Sequence, residues 1–391
     1  MANNNKHTGP NVPALRFPEF SGEWERYRLD ECVTFLDEKR KPIKSSDRVS
    51  EKGLYPYYGA SGIIDRIDNY IFDDDLVLLS EDGANILDRN YRVAFIVRGK
   101  AWINNHAHVL KPNCHTDIVF LSESLERIDY APYNTGTTMP KLNQEVCRGI
   151  MLYMPTPTEQ AKIGSLLKLV NERIEAQSKI IEELMTLRSA LHQGIMSTGL
   201  EDGSWRMQTL DEVLSERTEL NNEGHAVHSV SVSKGIVNQI EYLGRSFAAK
   251  DTSRYHVAYP GDVIYTKSPT GEFPYGIVKQ SQISIKAALS PLYGVYVPIS
   301  PEIGYIIHNH FLSAKNALNY LHPLIQKGAK NTINITNQRF LQNSMPLPSS
   351  NSVARLYFKT IKTLSDKIDL EISILHQLQI QKRKLLNDMF I

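Results

Sequence analysis

Three cysteines in 391 residues, Cys32, Cys114 and Cys147, are too few and too far apart for a disulfide framework, and no Cys-x-x-Cys or His-x-x-x-His pairing accompanies them. Buried thiols in a reducing compartment are expected, not zinc ligands. No run of about 18 apolar residues occurs. The segment Met1–Lys6 lacks the apolar stretch of a signal peptide. The expectation is a soluble, cytoplasmic chain with no membrane partner. An excess of either charge is also missing: 44 basic against 43 acidic residues leave a formal net charge of +1. Any contact with a polyanion must therefore use local basic clefts, because net charge does not supply the attraction.

Catalytic motifs are missing as well. There is no Gly-x-x-x-x-Gly-Lys-Ser/Thr phosphate loop, and no Gly-x-Gly-x-x-Gly turn follows a strand pattern. Neither a Gly-x-Ser-x-Gly elbow nor a His-Glu-x-x-His helix occurs. The Asn/Asp-Pro-Pro-Tyr/Phe tetrapeptide with which amino-methyltransferases grip a flipped base is absent too. Asp73-Asp74-Asp75 stands directly before an apolar strand pattern and reads as a solvated strand edge. Asp262 holds the corresponding place later in the chain without acidic neighbours. His106/His108 and His308/His310 are spaced to share one face of a strand, but no third ligand is evident. No metal site and no catalytic residue are expected, and the chain is not expected to be an enzyme.

What is present is a duplication. Trp24-Glu25-Arg26-Tyr27-Arg28-Leu29-Asp30-Glu31 returns as Trp205-Arg206-Met207-Gln208-Thr209-Leu210-Asp211-Glu212, 181 residues later. Gly136-Thr137-Thr138 is echoed by Gly328-Ala329-Lys330, and Met154–Pro157 by Met345–Pro348. Two copies of so long a period make a duplicated module and not a solenoid. Within each copy short strand-like runs, such as Leu76–Leu79, Val93–Val97, Asp262–Tyr265, Tyr275–Val278 and Tyr293–Val297, are bounded by turn residues. Asn309–Leu321 reads as a helix. The organisation predicted is a loose N-terminus over 1–14, α+β globular domains over 15–157 and 198–350, and a long helix after each, over 158–197 and 351–391.

The two helices repeat a seam. Val170, Ile174, Gln177, Ile181, Leu184, Arg188, Leu191 and Ile195 recur at alternating steps of four and three, and Leu364, Ile368, Glu371, Leu375, Leu378, Lys382, Leu385 and Met389 do the same. That period of 3.5 belongs to a coiled coil, not to a helix lying on its own sheet. Parallel pairing would set Arg188 on Lys382, two like charges. An antiparallel pair about a pseudo-two-fold axis instead sets Arg188 on Glu371 and Gln177 on Lys382, and these four polar residues are expected to fix the register. Each helix would be a rod of roughly 60 Å, long enough to hold two globular units one to two DNA turns apart.

These features resemble the specificity subunit of type I DNA restriction–modification systems over nearly the whole chain. The resemblance rests on Leu15-Arg16-Phe17-Pro18-Glu19-Phe20-Ser21-Gly22-Glu23-Trp24-Glu25, on Tyr55-Pro56-Tyr57-Tyr58-Gly59-Ala60-Ser61-Gly62-Ile63, on Thr135-Gly136-Thr137-Thr138-Met139-Pro140-Lys141-Leu142-Asn143 leading to Pro155-Thr156-Pro157-Thr158-Glu159-Gln160, and on the duplication. Thr158 is placed to cap the first helix and Glu159 to complement its dipole. Pro346-Leu347-Pro348-Ser349-Ser350 lacks the Glu-Gln pair, so Ser350 or Asn351 is the cap there. The resemblance implies a double-stranded DNA reader without chemistry of its own. Its two target-recognition domains would each read half of a split, asymmetric site, with the paired helices as a ruler between them. The exposed flanks of the helices would dock modification subunits, which methylate adenine with S-adenosylmethionine. Restriction subunits, with ATP, Mg and translocase activity, would join them, and no cofactor would sit on this chain. A stand-alone dumbbell-shaped DNA-binding regulator is the alternative, and a specificity domain normally fused to a methyltransferase–nuclease polypeptide is another.

DNA contacts are expected from loops that combine glycine, hydroxyls and a cation, a combination suited to close approach and phosphate binding. Thr137, Thr138 and Lys141 belong to one such loop, and Lys327, Lys330, Asn331 and Thr332 to its counterpart. Tyr58 with Ser61, and Lys267 with Ser268, form two more. Arg89, Asn90 and Arg92 offer guanidinium and amide groups of the kind that read base edges.

Overall fold

Both copies of the tryptophan segment fold as strands that close their own unit. Glu25–Arg28 pairs antiparallel with Met151–Met154, and Trp205–Thr209 with Ser344–Pro348. The structure, a computed structural model, describes residues 11–48, 53–245, 249–327 and 333–391. It divides into two units, Met1–Ser178 with Ser373–Ile391, and Lys179–Ile372. Among the described residues no helix is long and apolar enough to cross a membrane.

In the first unit an antiparallel sheet runs Val33–Phe35, Ala107–Pro112, Leu76–Ser80, Ala94–Val97. Its strand Leu76–Ser80 is buried along its whole length, because alternate side chains serve two cores. Val77 and Leu79 join Trp24, Phe120 and Leu167 on one face, whereas Leu76 and Leu78 join Phe72, Ala101 and Ile103 on the other. The second face is covered by a sheet ordered Gly62–Ile67, Tyr55–Gly59, Lys100–Ile103, Phe72–Asp73. Two acids of the 73–75 run form surface ion pairs, Asp74 with Lys111 at 2.7 Å and Asp75 with Arg98. Cys32 and Cys147 are buried, but Cys114 is exposed, against the expectation of three buried thiols.

The second unit repeats the sheet in the same order: Leu214–Glu216, Gly294–Pro298, Val263–Tyr265, Val278–Gln280. The same two-sided alternation holds, with Val263 and Tyr265 in one core and Ile264 in another. Where the first unit has a second four-stranded sheet, among the described residues this one has two-stranded pairs, His228–Ser231 with Gly235–Asn238 and His256–Ala258 with Ala287–Leu289, joined by a bridge from Val227 to Ala288. Asp262 is buried and clasped by Arg217 at 2.7 and 3.0 Å, a structural ion pair. The helix expected over Asn309–Leu321 is two helices, Pro301–His310 and Ala314–Leu321, because Ser300 and Ser313 each cap a separate start. His308 and His310 are therefore on a helix, where a two-residue step does not share a face.

The central helix runs Pro157–Asp202 and the terminal helix Asn351–Met389. Thr156, not Thr158, caps the central helix: its hydroxyl accepts from Glu159 N at 3.4 Å, with Pro157 in the first turn, where its missing N–H costs nothing. Glu159 is fully buried and takes both guanidinium arms of Arg16 at 2.7 Å. Gln160 accepts from Asp117 N and donates to Pro155 O. The Glu-Gln pair thus ties the helix start to the N-terminal segment and to the helix Ile118–Arg127. The helix continues past Ser197 until Gly203, at φ +79°, turns the chain toward Trp205. Ser350 caps the terminal helix through Val353 N.

Within each unit the two helices run antiparallel. In the first, Ile163 and Leu167 share a core with Met389 and Phe390. In the second, His192 Nδ1 lies 2.6 Å from the Tyr357 hydroxyl, and Arg188 donates to Ser365 Oγ at 3.4 Å. Direction is as expected, but register is not. Arg188 meets Ser365, six residues before Glu371, and Lys382 pairs with Glu123 at 3.0 Å, not with Gln177. Glu371 is bound by Lys367 one turn away. A heptad seam slid by seven residues still sets seam on seam, so contacts outside the seam choose the register. Trp24 edge-on to Phe390 at 6.3 Å and Trp205 edge-on to Tyr357 at 5.5 Å are such contacts.

Candidate nucleic-acid interface

In the first unit several connections meet beyond the ends of the sheet strands. The turn at Ala60 and Ser61 is held by Ser80, whose hydroxyl donates to Ala60 O at 2.6 Å. Glu81 N donates to His106 O at 2.9 Å, Gly83 N to Pro140 O at 3.0 Å, and Leu142 N to Glu81 O at 2.8 Å. The loop 134–141 is cinched by Asn134, whose Oδ1 accepts from Gly136 N at 3.0 Å and Lys141 N at 2.9 Å. A Cβ at Gly136 would lie 1.8 Å from Met139 O, so the fold-back requires glycine. Thr137, Thr138 and Met139 are left exposed at the tip. Ser61, Thr137, Thr138 and Lys141 thus share one group of hydrogen-bonded loops.

Beneath those loops is a buried charge network. His108 Nδ1 contacts Asp37 Oδ2 at 2.6 Å, and its Nε2 contacts Leu142 O at 2.8 Å. Both partners are acceptors, so both ring nitrogens carry hydrogen. Burial opposes that charge, but the hydrogen bond to Asp37 prevails and the pKa rises to about 10. Arg40 donates to Glu81 at 2.6 Å, and Lys141 Nζ lies 3.4 Å from Glu81. Asp37, Glu81 and His108 are close enough together to suggest a metal triad. With no lone pair free on His108, and with Arg40 and Lys141 also held by the two acids, the cluster is an internal ion-pair network. The acids that serve His108 are 71 and 27 positions away, which is why residue spacing did not expose them.

The expected base-reading arginines are engaged internally. Arg92 donates to Glu123 at 2.9 Å and to Ala94 O at 3.0 Å. Arg89, in the left-handed region at φ 56°, holds Glu126 and lies over the Tyr130 ring. Tyr58 packs its ring on Phe95 at 6.1 Å, and burial raises its pKa. Asn90 is exposed. Tyr91 is 68% exposed, yet fixed, because Asn85 donates to its carbonyl at 3.0 Å and accepts from its N–H at 2.7 Å. No local pattern signals this clamp except the asparagine six residues earlier.

In the second unit Lys267 and Ser268 begin the loop after Val263–Tyr265, the position that residues 81–84 hold in the first. Gly276, at φ +100°, brings the returning chain against Thr266 O, where a Cβ would lie 1.8 Å away. Burial lowers the Lys267 pKa against the pull of Glu216, which also accepts from Asn337 at 2.6 Å. Lys327 lies in the short pair Gln326–Lys327 with Ile333–Asn334. Lys330, Asn331 and Thr332 lie outside the described residues. This hairpin leads into the helix Asn337–Leu341 and then the closing strand, as the loop 134–141 leads into Gln144–Arg148 and its closing strand.

Residues 21–186 match the family model described as the type I restriction modification DNA specificity domain. The match covers somewhat less than half of the chain. A putative type I restriction enzyme specificity subunit of Haemophilus influenzae is 36% identical over 145 residues, 37% of this chain and 36% of that protein. The EcoDI specificity subunit of Escherichia coli is 19% identical over 192 residues, 48% of this chain and 40% of that protein. The chain thus spans well under half the length of these curated relatives. The crystal structure of the S subunit of a type I restriction–modification system from M. genitalium superposes with a TM-score of 0.63 at 15% identity, covering 97% of this chain and 99% of that one, a likeness of fold. The specificity-domain match includes the Trp24 strand, the loop 134–141 and the Glu159-Gln160 helix start.

Proposed function

We propose that this chain is the DNA specificity subunit of a type I restriction–modification complex, reading a split and asymmetric double-stranded site. The observation that carries this reading is the specificity-domain match over residues 21–186, joined to a second unit with the same sheet order. Each unit presents a loop after the central strand and a short helix leading into its closing strand, so one chain offers two similar reading heads. The heads differ in their further strands, which favours unlike half-sites over a palindrome.

The chain itself supplies recognition, not catalysis. Methylation of adenine would come from modification subunits with S-adenosylmethionine, and cleavage from restriction subunits using ATP and Mg. The long helices support docking of such proteins: Leu169, Ile180, Leu187, Leu356 and Leu370 are each more than 40% exposed. In the second unit Leu187, Leu191, Leu356 and Gly194 line an apolar groove of about 800 Å³. Isolated apolar side chains are ordinary on a surface, but a continuous groove of them marks an interaction site. Nothing observed favours a stand-alone regulator.

Single-molecule sequencing of methylated adenines, in cells with and without this gene, tests the reading. A two-part motif that loses methylation on deletion is the expected result. An unchanged methylome, in a strain whose modification subunit is active, would overturn it.

A further inference from the structure

The second unit contains a cavity of about 450 Å³ whose lining is cationic. Asp369 is its one acidic residue, against Arg188, Lys234, Lys279 and Lys362. Lys362 is engaged by Asp366. Lys279 is different: it is only 3% exposed, and among the described residues no carboxylate lies within ion-pairing distance of it or of Arg188. An unpaired buried ammonium carries a large desolvation cost. Burial and the neighbouring Arg188 charge lower the Lys279 pKa to about 8, which leaves it mostly protonated at neutral pH.

Neutral donors complete the wall. Arg188 and the Tyr305 hydroxyl both reach Ser365 Oγ, at 3.4 and 2.8 Å. Oγ accepts from both, so the hydroxyl hydrogen of Ser365 is left to be offered elsewhere. His308 Nδ1 accepts the Gln280 N–H at 3.2 Å, and burial keeps the ring neutral, which puts its hydrogen on Nε2. Two under-neutralised cations with hydroxyl and imidazole donors form a pattern complementary to a multiply charged oxyanion.

We propose that this cavity is an anion site for a phosphoryl group, bound by Lys279 and Arg188 with Ser365 and His308 as further donors. The site stands whether or not the chain reads DNA. The phosphoryl group has two sources, a free phosphate ester or the backbone of bound nucleic acid, and the experiment separates them.

Inorganic phosphate is titrated into the purified full chain by calorimetry, with chloride at matched ionic strength as the control. Saturable phosphate binding is expected, weakened at least about tenfold in both Lys279→Met and Arg188→Gln. Lys279→Arg, which keeps the charge, retains binding. Without phosphate, Lys279→Met melts at the same or a higher temperature than the parent, since it removes a buried unpaired charge. Should that variant fail to fold, Arg188→Gln alone decides. A duplex oligonucleotide arm assigns the source. If phosphate competes with the duplex and Lys279→Met lowers the salt slope of duplex binding by about one, the phosphate belongs to DNA. If duplex binding is unchanged while phosphate binding is lost, the ligand is a free phosphate. Absence of saturable binding, or equal binding by parent and variants, would overturn the site.

Discussion

Lys382 of the terminal helix reaches Glu123 at 3.0 Å, two residues 259 positions apart in sequence. The same Glu123 Oε1 accepts from Arg92 at 2.9 Å and from Asn171 of the central helix at 3.2 Å. Burial opposes the charge of Glu123, and the two cations still hold its pKa below the ordinary value. One oxygen therefore joins the segment that enters strand Ala94–Val97, the helix Ile118–Arg127 and both long helices within the first unit.

Removing that acceptor strands two cations and an amide. Glu123→Ala is expected to destabilise by about 3 kcal/mol, the usual cost of breaking a buried pair from one side. Lys382→Ala should cost less, about 1 kcal/mol, because Arg92 still neutralises the carboxylate. Urea unfolding of the single and double variants, read as a double-mutant cycle, checks both values and the coupling between them.

The two units should respond oppositely to pH. In the second, burial lowers the pKa of His192 and His308 to about 3 and of His310 to about 4. The unfolded chain binds these protons from about pH 6.5 downward, so stability falls with acidification by up to about 4 kcal/mol per pH unit for three histidines. In the first unit His108, raised to about 10, contributes fully below about pH 6.5. Its contribution shrinks by about 1.4 kcal/mol per unit above that and is gone past pH 10. With Trp24 and Trp102 changed to Phe, the fluorescence of Trp205 reports the second unit alone. It should show acid-labile unfolding. A flat acid limb would refute the buried neutral histidines.

Two glycines of the central helix should behave differently. A Cβ at Gly199 would lie 2.1 Å from Trp205 Cδ1. Gly199→Ala is therefore expected to cost about 1–3 kcal/mol by overpacking. Gly194 has open space around it, so Gly194→Ala should stabilise by about 0.5–1 kcal/mol through helix propensity alone. Thermal melts of the two variants against the parent decide the matter.

For DNA recognition, Lys141→Ala and Lys267→Ala should each weaken duplex binding and make its salt dependence shallower by about one ion. Arg92→Ala should instead lower the melting temperature, since its guanidinium serves Glu123. Fluorescence anisotropy across a salt series, with melts alongside, separates the two effects.

The features legible in the sequence were those encoded locally or by repetition. Trp24 and Trp205 flagged the duplication, and both indoles are buried, but that their segments pair as closing strands was not legible. The seam residues gave helix direction through one charge argument at Arg188 and Lys382. Register escaped because sliding by a heptad preserves seam on seam, and the choice belongs to Phe390 and Tyr357, which lie outside the positions used to align the copies. The shared sheet order escaped for a related reason: Leu76–Ser80 and Val263–Tyr265 resemble each other in burial, not in residues. At the candidate interface the loops were visible through Gly136, Lys141 and Lys267. The engagement of Arg89 and Arg92 by Glu126 and Glu123 was not, since a charge pair more than 30 positions apart leaves no local trace.

The strand buried on both faces has one more consequence. The loops that begin at Glu81 and Thr266 start from a strand locked from two sides. Exposed positions farther along, such as Thr137 and Thr138, can then change without moving that root. The exposed surface of such a loop and the stability of the strand beneath it are set by different residues.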